Sequence, residues 1–430
     1  MKDGERKASA RKKSKGQERL IFHVDVNSAF LSWEAVRRVK EGLPDLREIP
    51  SAIGGDPRTR TGIVVAKSIP AKKYGVRTGE PVGMALKKCP ELVVVPGDFG
   101  LFLRCSRAFK EICASYAPVM ESFSIDEVFL DMTGTSLLYP DPVALACEIK
   151  DKIHRELGFT VNIGISVNKL LAKMASDFEK PDKVHTLFPE EIPTKMWPLP
   201  VGELLFLGKA SRRKLEEAGI HTIGDLAHED ESHIQMLLGT KNGHQLYQYS
   251  CGRDDSPVRA EAEESKGLSV ETTFNEDLVS KEQVFQVLLA QCDILAARLR
   301  KKEKKCSCIA VSFRTLDFKN RSHQMTIESA TDITDEIFKY AQKLFLDFWK
   351  GQPLRLVGVS LTGLNDGMYE QMSMFEDTKD KEKRRKLDAA LDSIRLKYGN
   401  DKVTRASIMN SSGRIGRKAK AENGLDKHHT

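Results

Sequence analysis

The chain has 430 residues, of which 40% are hydrophobic and 30% are charged, so we expect two to four globular domains. No apolar run reaches the roughly 18 residues of a membrane-spanning helix, and the basic N-terminus lacks the apolar stretch of a secretory signal, which favours a cytoplasmic protein without a membrane partner. The net charge of +7 suggests a polyanionic partner. Residues 1–19 carry +5 and residues 376–430 carry +6, which leaves −4 for residues 20–375, so a nucleic-acid groove would need local basic clusters.

The first predicted strand ends at a carboxylate. Residues 1–18 lack apolar content and are expected to form a disordered basic arm. After them, Ile21 to Val24 is predicted as a buried strand, Asp25 follows it, and a helix is predicted from Ser28 to Val39. A buried charge is costly unless a partner satisfies it. Asp25 is therefore a candidate metal ligand, and a helix cap is the alternative interpretation.

The next stretch is rich in loops and short elements. Residues 41–62 contain turn signals, Gly54-Gly55-Asp56-Pro57 among them. A short strand at 62–66 leads to a helix at 70–75 that ends at a glycine. A strand near 92–95 and a long helix from about 99 to 116 follow.

A second acidic segment lies between two predicted strands, at about 119–125 and 127–132. It contains Asp126 and Glu127 at the edge of an apolar run. Carboxylates from neighbouring strands could meet Asp25 there and hold two divalent metals about 3.5–4 Å apart, which is the chemistry of nucleotidyl transfer. The alternative interpretation is an acidic hairpin turn.

Three further elements complete this part of the chain. A helix is predicted at 143–157, a strand at 160–166 and a helix at 168–178. With the preceding strands, they indicate an α/β sheet that contains antiparallel strands and carries helices on one face.

The rest of the chain divides at proline-rich and charged segments. Residues 189–200 are rich in proline and mark a boundary, short helices follow to about residue 252, and a charged linker covers roughly 253–267. Residues 268–364 then predict a second α+β domain, with the order strand, helix, strand, strand, helix, strand. A basic cluster lies at the end of the first helix of that domain, for which a solvated helix end is the alternative: Arg298, Arg300, Lys301, Lys302, Lys304 and Lys305.

Several motifs in one order make the chain resemble the Y-family of DNA polymerases, the lesion-bypass group, from about residue 20 to 375. The motifs are His23-Val24-Asp25 with Phe30, Ser124-Ile125-Asp126-Glu127 with Leu130-Asp131, Gly164-Ile165-Ser166 with Asn168-Lys169, and Ala172-Lys173-Met174-Ala175-Ser176-Asp177 continuing to Lys180-Pro181. The resemblance implies an α+β multidomain, right-handed polymerase with a ferredoxin-like palm, small fingers, a helical helix-hairpin-helix thumb and an α/β little finger.

The resemblance also implies a layout of domains. The boundaries are a disordered arm at 1–18, palm at 19–40 and 92–188, fingers at 41–91, thumb at 189–252, linker at 253–267, little finger at 268–366, and a tail at 367–430 with a clamp-binding motif and a charged helix.

The family's metal ligands fall on Asp25, Asp126 and Glu127, with the carbonyl of Val26 as a further ligand. The implied cofactor is two Mg²⁺ ions per active site, and oxygen ligands of this kind suit Mg²⁺. One ion would activate the primer 3′-hydroxyl and the other would hold the triphosphate.

Three residues fall at the family's nucleotide-binding positions. Phe30 matches the steric gate that excludes a 2′-hydroxyl, with core packing as the alternative. Lys180 matches a lysine that contacts the triphosphate, with an exposed helix end as the alternative. Family members commonly have a tyrosine and an arginine where this chain has Ile69 and Lys72, and a lysine pairs with phosphate only as a point charge.

Two more departures from the family pattern lie beside the first metal ligand. Many relatives carry aspartate at the position of Asn27, but that residue is not usually a ligand, so catalysis should survive. Relatives often have an aromatic residue at the position of Ala29, so this chain leaves more room beside the nucleotide.

The implied DNA contacts lie outside the palm. Leu207, Gly208 and Lys209 begin a segment that resembles the thumb hairpin, whose backbone N–H groups could hold a DNA phosphate, although purely structural hairpins share this pattern. In the little finger, the basic cluster that includes Lys301, Lys302, Lys304 and Lys305 suits contacts to the duplex.

A short segment of the tail resembles a motif that binds the bacterial sliding clamp. It runs from Gln371 to Phe375, and Gln371, Met374 and Phe375 are the residues expected to enter the hydrophobic cleft of the clamp. Motifs of five residues also arise by chance.

The resemblance implies a distributive, error-prone DNA polymerase that performs translesion synthesis in DNA damage tolerance. Its partners would be primer-template DNA, dNTPs and the sliding clamp, and it would be a monomer associated with the nucleoid. No segment beyond the polymerase domains is large enough to be a proofreading exonuclease, so low fidelity is expected. The alternative is a DNA- and clamp-binding accessory protein of the same fold that is catalytically weak or inactive, while a nucleotide cyclase would not explain the thumb hairpin or the second α+β domain.

Overall fold

A computed structural model describes residues 19–58, 60, 62–261, 264–366, 378–399 and 402–406. The strands are β1 (Ile21–Val26), β2 (Ser51–Gly54), β3 (Val64–Lys67), β4 (Val93–Val95), β5 (Val119–Ser122), β6 (Glu127–Asp131), β7 (Val161–Ser166), β8 (Val184–Thr186), β9 (Gly267–Leu278), β10 (Lys305–Thr315), β11 (Asn320–Thr331) and β12 (Leu354–Asn365). The helices are α1 (Ala29–Lys40), α2 (Ile69–Lys73), α3 (Val82–Lys88), α4 (Phe99–Ala114), α5 (Pro142–Leu157), α6 (Lys169–Ser176), α7 (Lys209–Glu217), α8 (Ile223–His228), α9 (Glu231–Leu238), α10 (Thr240–Ser250), α11 (Lys281–Lys301), α12 (Thr334–Phe348) and α13 (Thr378–Tyr398).

The chain divides into two compact units. The first unit combines Met1–Ile49 with Leu101–Ala262, and the second combines Pro50–Gly100 with Glu263–Thr430. The predicted antiparallel sheet with the acidic residues lies in the first unit. The loop-rich stretch after α1 and the second α+β domain both lie in the second unit.

The first unit is built on a five-stranded sheet in the order β5-β6-β1-β7-β8. Strand β1 is central and wholly buried, since its apolar side chains are covered on both faces, and it pairs antiparallel with β6 and β7. Helix α6 packs closely on β7 at Gly164, where a Cβ atom would lie 1.9 Å from the carbonyl oxygen of Ala172. Only glycine fits at this position, and the close approach brings α6 near the end of β1.

A separate group of short helices completes the first unit. Helices α7 to α10 surround an apolar cluster that includes Leu215, Ile223 and Leu246. The chain turns between α7 and α8 at Gly219, which has a φ of +84° that favours glycine. The predicted helical hairpin is therefore present.

The second unit contains two sheets. A small sheet in the order β3-β2-β4 packs with α2 and α3, and a larger antiparallel sheet in the order β11-β10-β12-β9 carries α11 and α12 on one face. Strand β2 lies in a stretch predicted as loop, and helix α3 was not among the predicted elements. All four residues of β2 are buried between its two neighbours, so tertiary pairing rather than a local pattern makes it a strand.

The charged tail helix α13 docks on the second unit through ion pairs. Asp388 is 2% exposed, and it accepts hydrogen bonds from the backbone N–H of Thr334 (2.9 Å) and from the guanidinium groups of Arg300 (3.2 Å) and Arg405 (2.8 Å). The apolar side chain of Leu387 is about half exposed. Charge pairing therefore holds this helix, although leucines recur along it at helical spacing.

Among the residues that the structure describes, no helix is long and apolar enough to cross a membrane.

Candidate active site

Asp25 and Glu127 lie opposite each other in the first unit. Strands β1 and β6 pair in a register that aligns the Cα atoms of these two residues, so the two side chains leave the same face of the sheet. Asp126 precedes Glu127 in the turn after β5, and its carbonyl oxygen accepts the backbone N–H of Val26 at 3.0 Å. Asp25 belongs to β1, and the N-cap position of α1 is occupied by Ser28, whose side chain makes no capping hydrogen bond, so the helix-cap interpretation of Asp25 is wrong. The hairpin-turn interpretation describes the backbone at Asp126 correctly. The register between β1 and β6 also places a third acidic residue, Asp25, next to this turn.

Burial and crowding of negative charge change the titration of Asp25. Burial raises the pKa of Asp25 to about 6, the ammonium of Lys180 opposes this shift, and the carboxylates of Glu127 and Asp126 add to it. Glu127 and Asp126 are thus close enough to repel the carboxylate of Asp25. Such oxygen donors are the ligands that a divalent cation such as Mg²⁺ prefers, and the cation would relieve their repulsion, so the residues present fit the implied cofactor.

Two lysines supply positive charge next to these carboxylates. The ammonium of Lys180 pairs with Asp25 and also with Asp177 at 2.8 Å. Burial by itself would lower the pKa of Lys180, but Asp25 and Asp177 outweigh it and raise this pKa. Lys173 donates to Glu127 at 2.5 Å. Within the described part of the chain, no three acidic, histidine or cysteine side chains are arranged closely enough to hold a metal ion, and two of the three carboxylates are paired with these ammonium groups.

No role was predicted for Lys173, although this residue belongs to the motif that runs from Ala172 to Asp177. Asn168 caps α6 by accepting the backbone N–H of Leu171 at 2.8 Å. The helix then presents Lys169 and Lys173 on one face, four residues apart. This spacing is visible in the sequence, but the acidic partner of Lys173 is set by how α6 packs on the sheet.

Lys110 of α4 is a second residue that sequence reasoning missed. Its ammonium donates to the carbonyl oxygen of Ser124 at 2.6 Å, and the hydroxyl of Ser124 donates to Asp126, also at 2.6 Å. Burial lowers the pKa of Lys110, and the nearby carboxylate of Asp126 opposes this shift. Lys110 and Ser124 therefore hold the turn that carries Asp126.

Phe30 lies in the same unit, near the start of α1. Its ring is half-buried and packs against the rings of Phe102 (4.8 Å between centroids) and Trp33 (5.8 Å). The core-packing interpretation is therefore correct for part of the ring. The remaining exposed part leaves the assignment as a steric gate a prediction.

The predicted contacts in the fingers lie in the second unit. Ile69 and Lys72 belong to the five-residue helix α2, which Ser68 caps by accepting the backbone N–H of Ala71 at 3.1 Å. Both side chains are exposed. Burial lowers the pKa of the neighbouring Lys67, and the positive charge of Lys72 lowers it further.

The predicted thumb contact lies at the start of α7. Gly208 is the N-cap residue, no side chain caps this helix, and Gly208 and Lys209 are both exposed, while Leu207 is half-buried. The first turn of a helix leaves backbone N–H groups without intrahelical partners. The geometry therefore suits an anion at this position.

The basic cluster at the end of α11 is divided by the fold. Lys301 and Lys302 are exposed, whereas Lys305 is buried in β10. Lys304 pairs with Glu264 at 3.2 Å and with Asp366. The interpretation of the whole cluster as a DNA surface needs correction, because burial and ion pairing engage Lys305 and Lys304 within the protein.

One face of the four-stranded sheet in the second unit carries none of the helices that the structure describes. Its side chains are mostly small and polar, with one acid and one base among them: Ser269, Glu271, Thr273, Ala310, Ser312, Arg314, Asn320, Ser322, Gln324, Ser360 and Thr362. Hydroxyl and amide groups can donate to phosphate oxygens without reading base sequence. The predicted clamp-binding residues Gln371, Met374 and Phe375 lie outside the described residues.

Comparison with known proteins identifies relatives across the chain. Residues 24–177 match the profile of the impB/mucB/samB family, residues 265–374 match its C-terminal domain, and residues 207–254 match the DNA polymerase-iota thumb domain. DNA polymerase IV of Clostridium acetobutylicum is 45% identical over 392 residues, which cover 91% of this chain and 98% of that protein. DNA polymerase IV of Alkaliphilus oremlandii is 38% identical over 400 residues, covering 91% and 99%.

A solved structure has the same fold. The Y-family DNA polymerase chimera Dbh-Dpo4(243-245)-Dbh aligns with a TM-score of 0.69 and 22% identity, over 80% of this chain and 99% of the chimera. The likeness confirms the predicted α+β multidomain fold.

Proposed function

The chain belongs to the Y-family of DNA polymerases, within the DNA polymerase IV group, and we propose from this membership that it extends a primer 3′ end on a template strand by two-metal catalysis. The observation that carries the proposal is the position of Asp25 directly across from Glu127, with Asp126 beside it. Nucleotidyl transfer needs such a set of carboxylates on one surface, since both the attacking and the leaving oxygen develop charge.

We assign the metal ligands to Asp25, Asp126 and Glu127, with the carbonyl of Val26. When bound, two Mg²⁺ ions would lower the pKa of the primer hydroxyl and neutralise the leaving pyrophosphate. The protein's own contribution is to hold the carboxylates on one face of a rigid central sheet. Lys173 and Lys180 limit the repulsion between them before substrate arrives.

Three residues are assigned to the incoming nucleotide, each from its position in the family pattern. We assign Phe30 to the exclusion of a 2′-hydroxyl and Lys180 to a triphosphate oxygen, because its ammonium already lies at Asp25. Lys72 would add a second point charge from α2. Ile69 has no hydroxyl, unlike the tyrosine that family members commonly have at this position. Binding of the triphosphate would therefore depend more on Lys180 than it does in those relatives.

DNA would contact backbone N–H groups at Gly208 and Lys209, the exposed Lys301 and Lys302, and the polar open face of the four-stranded sheet. Contacts of these kinds go to phosphates and tolerate any sequence. They suit an enzyme that follows a damaged template.

Family membership supports the remaining assignments. We propose synthesis of low fidelity across damaged templates as part of DNA repair and damage tolerance, by a monomer in the cytoplasm at the nucleoid. The segment with Gln371, Met374 and Phe375 would bind the sliding clamp and keep the enzyme at the primer end.

Primer extension with Mg²⁺ tests the proposal. Wild-type protein should incorporate dNTPs, and Asp126→Ala with Glu127→Ala should abolish incorporation. Asp131→Asn is the matched control, since it alters a carboxylate at the other end of β6. A clean wild-type protein that binds primer-template but incorporates nothing would favour the accessory-protein alternative.

A further inference from the structure

A buried amide connects the central sheet to the segment that carries Lys180. Asn162 of β7 is completely buried. Its amide nitrogen donates to the carbonyl oxygens of Ser176 (3.0 Å) and Glu179 (2.6 Å). Its oxygen accepts the backbone N–H of Lys183 at 3.2 Å. Asn162 therefore forms hydrogen bonds with the backbone on both sides of Lys180.

Asn27 forms a further hydrogen bond with the same segment. Its amide nitrogen donates to the oxygen of Asn162 at 3.1 Å, and its own oxygen accepts the backbone N–H of Asp182 at 2.9 Å. The backbone carbonyl of Asn27 accepts the hydroxyl of Ser32 at 2.6 Å, which ties the residue to α1. The two asparagines thus join β1, β7 and residues 179–183 into one network.

The network requires an uncharged amide at position 27. The amide nitrogen of Asn162 is committed to two carbonyls, so its oxygen must face residue 27 and needs a donor there. Aspartate has no N–H to offer and would place two acceptors in contact, which is costly in a buried site. It would also add negative charge close to Asp25, whose Cα atom is aligned with that of Asn162. This requirement gives a physical reason for Asn27 at a position where relatives often carry aspartate.

We propose that Asn162, together with Asn27, is a positioning residue that fixes Lys180 beside Asp25 for contact with the triphosphate of the incoming nucleotide. The inference rests on the proposed nucleotide role of Lys180. Binding of a phosphate oxygen by Lys180 needs both an ordered side chain and an ordered backbone beneath it, and each costs conformational entropy. The network fixes the backbone on both sides of Lys180 in advance, so the backbone part of that cost is removed and nucleotide affinity rises.

Kinetics of single-nucleotide incorporation test this role. Asn162→Ala and, separately, Asn27→Ala should raise KM for the dNTP roughly tenfold, with a smaller change in kcat and no change in affinity for primer-template. Lys180→Ala should raise KM at least as much. Because both asparagines act through Lys180, adding Asn162→Ala to Lys180→Ala should raise KM by less than twofold more.

Gln291→Ala is the matched control for loss of a buried amide. Gln291 is also completely buried, and it donates to the carbonyl oxygen of Val357 (2.9 Å) and to the hydroxyl of Thr272 (3.2 Å) in the second unit. Its replacement should lower thermal stability and leave KM unchanged. If Asn162→Ala does not fold, Asn27→Ala carries the same comparison, since its side chain is at the edge of the network.

The results separate two kinds of failure. If Lys180→Ala raises KM but neither asparagine variant does, the positioning role is refuted and the nucleotide role of Lys180 stands. Additive effects of Asn162→Ala and Lys180→Ala would refute it as well. If Lys180→Ala leaves KM unchanged, the nucleotide role of Lys180 fails and the inference fails with it.

Discussion

Asp25 and Glu127 face each other across the central pair of strands, and each carboxylate is paired with the ammonium of a lysine from beyond the sheet. Two negative charges thus lie next to each other, with a positive charge beside each of them. Lys180, Glu127 and Asp126 all shift the pKa of Asp25, so the site can be tested through stability as well as through activity.

Asp25→Asn should stabilise the metal-free protein above pH 6. Asp25 has an ordinary pKa of 3.8, which rises to about 6 in the folded chain. Because its pKa is higher in the folded chain than in the unfolded chain, this carboxyl makes its full contribution to stability below pH 3.8. That contribution is lost as the pH rises through about 6. A shift of this size corresponds to about 3 kcal/mol.

Urea unfolding in EDTA at pH 5 and pH 7.5 measures this effect. Between pH 5 and pH 7.5, the free energy of unfolding should fall more for the wild type than for Asp25→Asn. The comparison does not depend on activity, which the variant should lose. Glu111→Gln, an exposed carboxyl on α4, serves as the control and should follow the wild type. Parallel pH profiles for the wild type and Asp25→Asn would contradict the prediction.

Phe30→Ala should admit ribonucleotides. The smaller side chain removes the ring edge that would meet a 2′-hydroxyl, so the ratio of kcat/KM for dNTP over rNTP should fall by roughly tenfold or more. The variant should also unfold more easily, because the ring loses its contacts with Phe102 and Trp33. Unchanged selectivity in primer extension would leave Phe30 with its packing role only.

Asp388→Ala should release the tail helix. The substitution removes a buried carboxylate that accepts from Arg300, Arg405 and the backbone of Thr334, while Asp392 still pairs with Arg300 and Asp335 with Arg405, so the expected cost is about 1–3 kcal/mol. Hydrogen exchange along α13 should increase by a large factor. Glu382→Ala is the control on the same helix, because its pair with Lys386 is exposed and worth about 1 kcal/mol at most. Equal exchange in the two variants would mean that the ion pairs around Asp388 do not hold the helix.

Lys301→Ala with Lys302→Ala should weaken DNA binding in a salt-dependent way. Removing two phosphate contacts lowers the slope of log K against log salt concentration by about 2. Lys304→Ala is the matched control, since the ammonium of Lys304 is engaged by Glu264 and Asp366 and should contribute little to that slope. An equal loss for both variants would show that the ion pairs of Lys304 open when DNA binds.

Gln371→Ala with Phe375→Ala should remove stimulation by the sliding clamp. Extension without the clamp should remain at the wild-type rate, because no residue assigned to the carboxylate site belongs to this segment. Ser373→Ala in the same pentapeptide is the control, as the motif does not use this position. Stimulation equal to that of the wild type would remove the clamp assignment.

Local pattern was sufficient for much of the fold and of the site. The apolar run of β1, the paired acids Asp126 and Glu127, and the alternation along β10 are all properties of neighbouring residues, and they predicted the strands and the carboxylates in them. Strand β2 escaped prediction, because its four residues become a strand only when β3 and β4 cover them.

Residue order alone determined the family to which this protein belongs and indicated the three carboxylates that we propose as metal ligands. Only the tertiary structure decided that Asp25 aligns with Glu127, that Lys173 rather than Lys169 reaches Glu127, and that Asn162 binds the segment around Lys180. The reason is physical: strand register and helix packing are set by hydrogen bonds between residues that are far apart in the chain, 46 positions for Lys173 and Glu127 and 17 positions for Asn162 and Glu179. No local periodicity records these distant contacts.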